Sequence, residues 1–422
     1  MKKHIFLFNE GSRAAVYGIG TYIRQMVLCL TSMENVSLHL VQLNSDVEKV
    51  TLSQQDGYEE LGLPRSLFPA GDKSSRYYRS AWRLVQLYCP IAESESVFFM
   101  LNYSSHQALI PCLRAAFPAC RIYFVIHYQD WCFLLNGNVS RFREILQTED
   151  VDMLDTVGKE VRESYRKEKE TYGQVDKVIC LSHFTERLLW TEYRIAPDKT
   201  IVIYNGLKDE ADDCSLEVKK QLKAQFGFQP EEKIILFVGR LDPIKGVRLL
   251  IRSFLSVLAK RSDCHLVLVG DGDFSRCMKE CDGYWNKITF TGRLEKERLY
   301  QFYRIADVGV LPSMHEQCSY TGIEMMMFGI PLVASTTTGL KEMAENGLGY
   351  VFDMESEEDE RAKSALTDLI LDMLGNSLPI FQEKQLLMRK GYDEGYSIER
   401  MEHLYQKLFL SVDVLGESNK NI

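Results

Sequence analysis

The sequence predicts an α/β protein built of two Rossmann-like parallel-sheet domains that face each other across a cleft. Three observations point there. At 422 residues the chain is too long for one ordinary domain and fits two of about 200 residues. Short apolar, β-rich runs alternate with longer segments of helical period, the pattern of a parallel sheet wrapped by helices. A polar, acidic stretch without a strand, Asn205 to Glu232, separates one such series from a second.

Taken in order, the first run is 4–8 (HIFLF). A helix follows, with Ile19, Ile23, Met26, Val27 and Leu30 on one face at helical spacing. Further strands are expected at 38–43, 97–101, 122–126, 177–181 and 201–204. These define an N-terminal domain over 1–206. Beyond the linker come 234–238, 265–269, 288–290, 308–312 and 332–334, separated by helices near 247–260, 297–306 and 321–328. These define a second domain over 207–391. Acidic residues cluster again from Asp353 to Glu360, a solvated face or loop. Folds of this kind bind ligands at the carboxyl ends of their strands, so the cleft is the expected site.

Composition narrows the function. Lys and Arg total 50 against 59 Asp and Glu, a formal charge of −9 that argues against a general nucleic-acid binder. A local basic pocket for an anionic ligand stays compatible with it. The eleven cysteines are scattered and show no zinc-ligand spacing, which reads as buried free thiols in a reducing compartment. The apolar start, Ile5 to Phe8, is too short for a secretion signal, and no run approaches the roughly 18 residues of a membrane span. A cytoplasmic location is expected. Lys73 to Arg83 interleaves cations with aromatics. That pattern suits the inner face of a membrane or a phosphate-bearing acceptor, and an ordinary amphipathic surface helix carries it equally well.

Two segments are rich in chemistry. In Glu316-Gln-Cys-Ser-Tyr-Thr-Gly-Ile-Glu324 two carboxylates stand eight apart around the start of a helix, where backbone N–H groups attract phosphate. Glu324 is placed to accept ribose hydroxyls and Glu316 to hold sugar hydroxyls; two surface acids at a helix start are the plainer alternative. In Gly239-Arg-Leu-Asp-Pro-Ile-Lys245-Gly246 a glycine permits close backbone approach, and Arg240 and Lys245 supply cations. A departing nucleoside diphosphate gathers negative charge, which fixed cations stabilise. No P-loop, nucleophile elbow or complete dinucleotide fingerprint is present.

Together, FVGRLDPIKG and HEQCSYTGIE resemble family 4 glycosyltransferases of the GT-B fold. The likeness extends through LVLVGDGDF (266–274), ITFTGRLEKERL (288–299) and GIPLVASTTTGLKEM (329–343). It continues more weakly in YGIGTYI (17–23), VIHYQDW (125–131), VICLSHFTERLL (178–189) and VIYNGL (202–207). The resemblance implies a retaining transfer of a hexose-type sugar from a nucleotide-diphosphate sugar, without metal or other cofactor. It implies that Arg240 and Lys245 contact the diphosphate, that Glu316 contacts the sugar and that Glu324 contacts the ribose. Backbone groups of Ser319, Tyr320 and Thr321 would hold phosphate, and Gly292 and Arg293 would receive the base. Gly18 and Gly20 would open the first helix against the diphosphate, with Gly239 near it and His127 near the sugar. The helical stretch 392–422 is expected to pack back on the first domain, which would take the acceptor: a glycan, lipid-linked intermediate, peptide or small molecule.

Two departures stand out. Cys318-Ser319 occupies the place of the family's usual aromatic-glycine pair, and His127 is followed by Tyr128 where many relatives have Asp. Asp271-Gly272-Asp273 imitates the D-x-D metal motif of the other large glycosyltransferase fold, yet a turn at a strand end explains it. A nucleotide-sugar epimerase or hydrolase, or a non-catalytic partner subunit of the same build, are the rival readings.

Overall fold

A computed structural model of the chain describes residues 2–11, 18–65, 74–91, 95–212, 215–346 and 349–418. It divides into two compact units. One comprises Met1–Asp130, Asp150–Gly206 and Ile398–Ile422, the other Trp131–Glu149 and Leu207–Ser397.

The first unit is built on the strands β1 (Lys3–Glu10), β2 (Val36–Ser45), β3 (Thr51–Gln55), β4 (Tyr58–Pro64), β5 (Ser96–Leu101), β6 (Arg121–Ile126), β7 (Lys177–Cys180) and β8 (Thr200–Val202). Their order is β3-β4-β2-β1-β5-β6-β7-β8, parallel except for the antiparallel β3–β4 hairpin. Strands of such a sheet are covered on both faces, which is why β1 reads as an unbroken apolar run and Ile5 to Phe8 are wholly buried. The apolar-run pattern overlooks β3 and β4. β3 (TLSQQ) is exposed at every residue and lies at the sheet edge, so it needs no apolar face. Its turn, Asp56-Gly57, has Gly57 at φ +83°, the left-handed conformation that glycine adopts at little cost.

The helix Gly18–Thr31 buries Ile19, Ile23, Met26 and Leu30. The helix Ser74–Tyr88 turns Tyr78, Trp82 and Val85 inward and leaves Arg76, Arg79 and Arg83 outside. Tyr78 donates to Glu10 Oε1 at 2.8 Å. The rings that a membrane-surface reading needs are thus engaged in packing, and the amphipathic surface helix accounts for the pattern; Lys73 lies outside the described residues. Helix Ile398–Ser418 closes the unit with Met401, Tyr405, Leu408 and Phe409 buried. The Tyr22 and Tyr405 hydroxyls meet at 2.7 Å.

The second unit carries β9 (Lys233–Val238), β10 (Cys264–Val269), β11 (Ile288–Gly292), β12 (Val308–Leu311), β13 (Leu332–Ser335) and β14 (Tyr350–Phe352), all parallel. Their order, β11-β10-β9-β12-β13-β14, reverses between β9 and β12. At such a switch point the loops leave the sheet in opposite directions and open a crevice. The helix Val247–Leu258 seals one face with Leu249, Leu250, Phe254 and Val257.

Three boundaries differ from the sequence reading. Trp131–Glu149 belongs to the second unit, not to a domain over 1–206. Packing is the cause: a Cβ on Gly137 (φ +77°) would stand 2.3 Å from the Met314 carbonyl oxygen, and buried Trp131 stacks on Phe142 at 4.4 Å. The returning helix starts at Ile398, because the π-helical turn Tyr392–Tyr396 stays with the second unit. The stretch read as a linker holds the helix Leu216–Gln225, capped by Ser215. Lys219 Nζ pairs with Asp307 Oδ1 at 2.9 Å and Phe226 stacks on Phe302 at 4.4 Å, so this helix is part of the second unit.

Among the described residues no helix is long and apolar enough to cross a membrane. The ten described cysteines are all free.

Candidate functional site

Lys245 and Glu316, 71 residues apart, form an ion pair. Both lie at the switch point of the second sheet, on the loops after β9 and β12. Gly246 sits at φ +66°, and a Cβ there would fall 2.0 Å from the Pro312 carbonyl oxygen, so only glycine lets the loops touch. Met314 N–H donates to Ile244 O at 2.7 Å and fastens them. Both charged side chains are less than a fifth exposed.

The backbone of Glu316 is held from a third loop, after β13. Thr338 Oγ1 lies 2.9 Å from Glu316 N, and Gly339 N–H donates to Glu316 O at 2.9 Å. A Cβ on Gly339 would stand 1.8 Å from Gln317 O, so this approach too requires glycine. Ser313 Oγ donates to Glu316 Oε1 at 3.3 Å. Sequence reasoning missed Ser313, Thr338 and Gly339 as positioning residues. The one signal for Thr338 and Gly339 was the run STTTGL, which supported a resemblance but suggested no role.

Arg240 pairs with Asp242 on its own loop at 3.0 Å. Gly239 N–H donates to Val269 O at 2.9 Å, which carries the β9–β10 pairing into this loop. Asp271-Gly272-Asp273 continues it: Leu241 N–H donates to Asp271 O at 2.7 Å, and Asp273 N–H to Leu241 O at 3.0 Å. The Asp273 carboxylate accepts from Arg276 N–H at 2.9 Å and caps the helix Phe274–Lys279. The D-x-D look-alike is a paired turn followed by a helix cap.

The helix Tyr320–Met327 begins beside Glu316, with Ser319 as its N-cap. Ser319 Oγ accepts from Gly322 N–H at 3.3 Å, so the side chain that replaces the family's glycine caps its own helix. Tyr320 and Thr321 form the first turn, at the positive end of the helix dipole. Glu324 lies one turn further, where Tyr303 donates to its Oε2 at 2.6 Å. Burial pushes the Glu324 carboxyl up to about 7, a rise that the Tyr303 hydrogen bond and the Lys296 charge only partly offset. Gly292, at φ +71°, ends β11 and accepts from Gly270 N–H at 2.9 Å; Arg293 beside it is exposed.

The remaining predicted residues belong to the first unit. Gly18 is exposed and Gly20 buried in the first turn of helix Gly18–Thr31, and residues 12–17 before them lie outside the described residues. His127 follows β6, its ring packed edge-on against Tyr22 at 4.6 Å. Asn102 Nδ2 donates to Phe8 O at 2.9 Å, which turns Asn102 Oδ1 toward His127 Nε2 at 3.1 Å. An amide oxygen only accepts, so Nε2 carries the proton and Nδ1 the lone pair. Burial pushes the His127 pKa down to about 3, and the ring is neutral at pH 7.

Comparison with known proteins fits this architecture. The family described as "Glycosyl transferases group 1" matches residues 218–377, and that described as "Glycosyltransferase Family 4" matches residues 18–211. An uncharacterized glycosyltransferase of Methanocaldococcus jannaschii is 33% identical over 181 residues, which cover 42% of this chain and 46% of that protein. A D-inositol 3-phosphate glycosyltransferase of Mycobacteroides abscessus is 26% identical over 246 residues, 56% of this chain and 49% of that one. The chain thus matches less than half the length of either. Among solved structures, sucrose-phosphate synthase from Thermosynechococcus elongatus superposes with a TM-score of 0.74 at 19% identity, over 98% of this chain and all of that one. Anabaena HepE in complex with UDP and glucose gives 0.66 at 16% identity, over 96% and 99%. With both halves matched in order and the two-sheet architecture shared along nearly the whole chain, this protein belongs to glycosyltransferase family 4 and has the GT-B fold.

Proposed function

We propose that the chain is a retaining, metal-independent glycosyltransferase that moves a hexose-type sugar from a nucleotide-diphosphate sugar to an acceptor hydroxyl. The observation that carries the reading is the Lys245–Glu316 pair, clamped at the switch point beside a capped helix start. Cation, carboxylate and helix dipole converge where a diphosphate and its sugar would lie. The fold shared with a protein solved with UDP and glucose supports the donor class.

In this reading Lys245 and Arg240 face the diphosphate, and the first turn at Ser319, Tyr320 and Thr321 receives a phosphate oxygen. Glu324 takes the ribose hydroxyls, Gly292 and Arg293 the base, and Gly239, Gly18 and Gly20 allow close approach. The glycosidic bond breaks with its electron pair going to the phosphate oxygen. The acceptor hydroxyl attacks from the same face and passes its proton to that oxygen. Glu316 stabilises the positive charge on the sugar and attacks nothing. Neutral His127 offers Nδ1 to a sugar hydroxyl. Arg240 and Lys245 supply the charge that a divalent cation supplies elsewhere, while the Asp273 carboxylate is committed to its helix cap.

A thermal-shift screen of nucleotide sugars on the wild type and Lys245→Ala tests this. One donor should raise Tm in proportion to its affinity, the variant should lose most of that rise, and turnover should persist in excess EDTA. If no nucleotide sugar stabilises the wild type, the reading fails. Turnover abolished by EDTA and restored only by Mn²⁺ would overturn its metal-free part.

A further inference from the structure

At the opposite end of the first sheet from His127, a buried row of side chains serves no step described above. His4 on β1, His39 on β2 and Glu59 on β4 come from neighbouring strands, and Cys89 joins them from just beyond helix Ser74–Tyr88. His4 Nδ1 lies 3.0 Å from His39 Nε2, with the rings within 15° of one plane, as an in-line N–H···N bond requires. On the outer sides His4 Nε2 lies 3.1 Å from Glu95 Oε2, and His39 Nδ1 lies 2.9 Å from Glu59 Oε2. Both imidazoles and Cys89 are buried.

The protons in this row do not add up. One of the two inner nitrogens must carry the hydrogen of the N–H···N bond. If it is His4 Nδ1, then neutral His4 presents a bare Nε2 lone pair to the Glu95 carboxylate. If it is His39 Nε2, then His4 donates to Glu95, and the bare lone pair is His39 Nδ1, facing Glu59. In either direction one bare nitrogen meets a carboxylate, and the row lacks one positive charge. His39 Nδ1 is also buried without a hydrogen bond of proper geometry.

The second arrangement places the gap where three ligands converge. His39 Nδ1, a Glu59 oxygen and Cys89 Sγ all lie within 4.8 Å of one another. Zinc bonds of about 2.0–2.3 Å imply ligand separations of about 3.3–3.8 Å, within reach of side-chain adjustment. We propose that His39, Glu59 and Cys89 form a zinc site, with His4 and Glu95 as the outer relay that fixes the His39 tautomer. On binding, the Cys89 S–H bond breaks, its proton goes to solvent, and the thiolate donates to the metal. One thiolate and one carboxylate neutralise Zn²⁺, and the lone pair of neutral His39 completes the protein ligands. His39 Nε2–H then donates to His4 Nδ1, and His4 Nε2–H to Glu95, with every proton accounted for. Glu59 is 39% exposed, which leaves the metal a route in and a place for water as fourth ligand. The ion ties two strands to the end of a helix, with a third joined through His4, and takes no part in transfer.

The test uses the full chain stripped with a chelator, then titrated with ZnCl₂ by calorimetry and with CoCl₂ by absorption. One equivalent of Zn²⁺ should bind and raise Tm, and cobalt should show a thiolate charge-transfer band. Cys89→Ser should abolish that band and weaken zinc binding by at least about 10-fold. His4→Gln, which removes only the outer relay, should keep the band and weaken binding by about 10–100-fold. Cys277→Ser should change neither. Circular dichroism checks folding, and Glu59→Gln replaces Cys89→Ser if the latter does not fold. Failure of the wild type to bind near one equivalent, or a cobalt spectrum and isotherm unchanged in Cys89→Ser, overturns the proposal.

Discussion

Glu316 and Glu324 sit in one short segment but keep different company, so their removal should read out differently. Glu316 is paired with Lys245 where the sugar would develop positive charge. Glu316→Gln should lower kcat by about 10²-fold, more than it raises donor KM. Glu324 is bonded to Tyr303, away from the breaking bond, and Glu324→Gln should act mainly on donor KM. Donor-saturation kinetics on both folded variants decide, and the reverse pattern would reverse the proposed donor orientation. Glu324 also predicts a pH effect. Its carboxyl, raised to about 7 by burial, ionises only as the pH passes that value, so donor affinity should rise through that range. Stability runs the other way. Between the ordinary value near 4.5 and about 7 the folded state keeps a proton that the unfolded chain has released, so the Glu324 contribution falls as pH rises and levels off above about 7. Both slopes should vanish in Glu324→Gln, as followed by donor titration and thermal melts from pH 5 to pH 8. The glutamates and cations were legible in sequence because each pair shares one continuous segment. Tyr303 and Thr338 were not, because helix packing and strand order, rather than spacing, bring Tyr303 to the Glu324 carboxylate and Thr338 to the Glu316 backbone.

Most helices and strands of the second unit could be read from periodicity because β9, β10 and β12 carry nearly continuous apolar runs, as two-sided burial demands. The strands β3, β4 and β14 escaped because a strand with an exposed face or only three residues carries little apolar signal. The helix Leu216–Gln225 escaped for another reason: its anchors are polar. Asp307 accepts from Ile234 N–H at 2.8 Å and pairs with Lys219 and Lys223. Burial raises this carboxyl, but the two lysines and the backbone N–H more than offset it and hold it below the usual range. Its stabilisation is therefore present above the ordinary value near 3.8 and lost as the pH falls below it. Asp307→Asn should cost about 3–5 kcal/mol at pH 7 by urea melts, because two partly buried ammonium groups lose their counter-ion. A loss under 1 kcal/mol would show that the pair is well solvated. Gly246→Ala should fail in a different manner. The methyl meets the Pro312 carbonyl, the two loops part, and donor binding drops along with stability. Donor titration on the folded fraction would detect a methyl accommodated without loss, which would mean that the loops need not touch.

For the whole molecule, the division after Gly206 was visible as a change of composition, while the exchange of Trp131–Glu149 was not. That segment has no sequence mark of its own; Gly137 and Trp131 tie it to the second unit only in three dimensions. Its counterpart is the closing helix, whose Tyr405 and Phe409 complete the first unit beside Tyr22 and Phe98. A chain ending at Ser397 should lose hydrogen-exchange protection in β1 and β5 while β9 and β10 keep theirs; equal protection in both sheets would show the helix to be dispensable. The chain passes between the units after Asp130, Glu149, Gly206 and Ser397. A ribosome releases residues in that order. The second unit has all its parts once Ser397 emerges, whereas the first sheet, although its strands are made earliest, waits for the helix after Ile398. Throughout that interval the apolar surface reserved for Tyr405 and Phe409 stays uncovered. Of the two units, the one whose strands are made first is therefore the last to be complete.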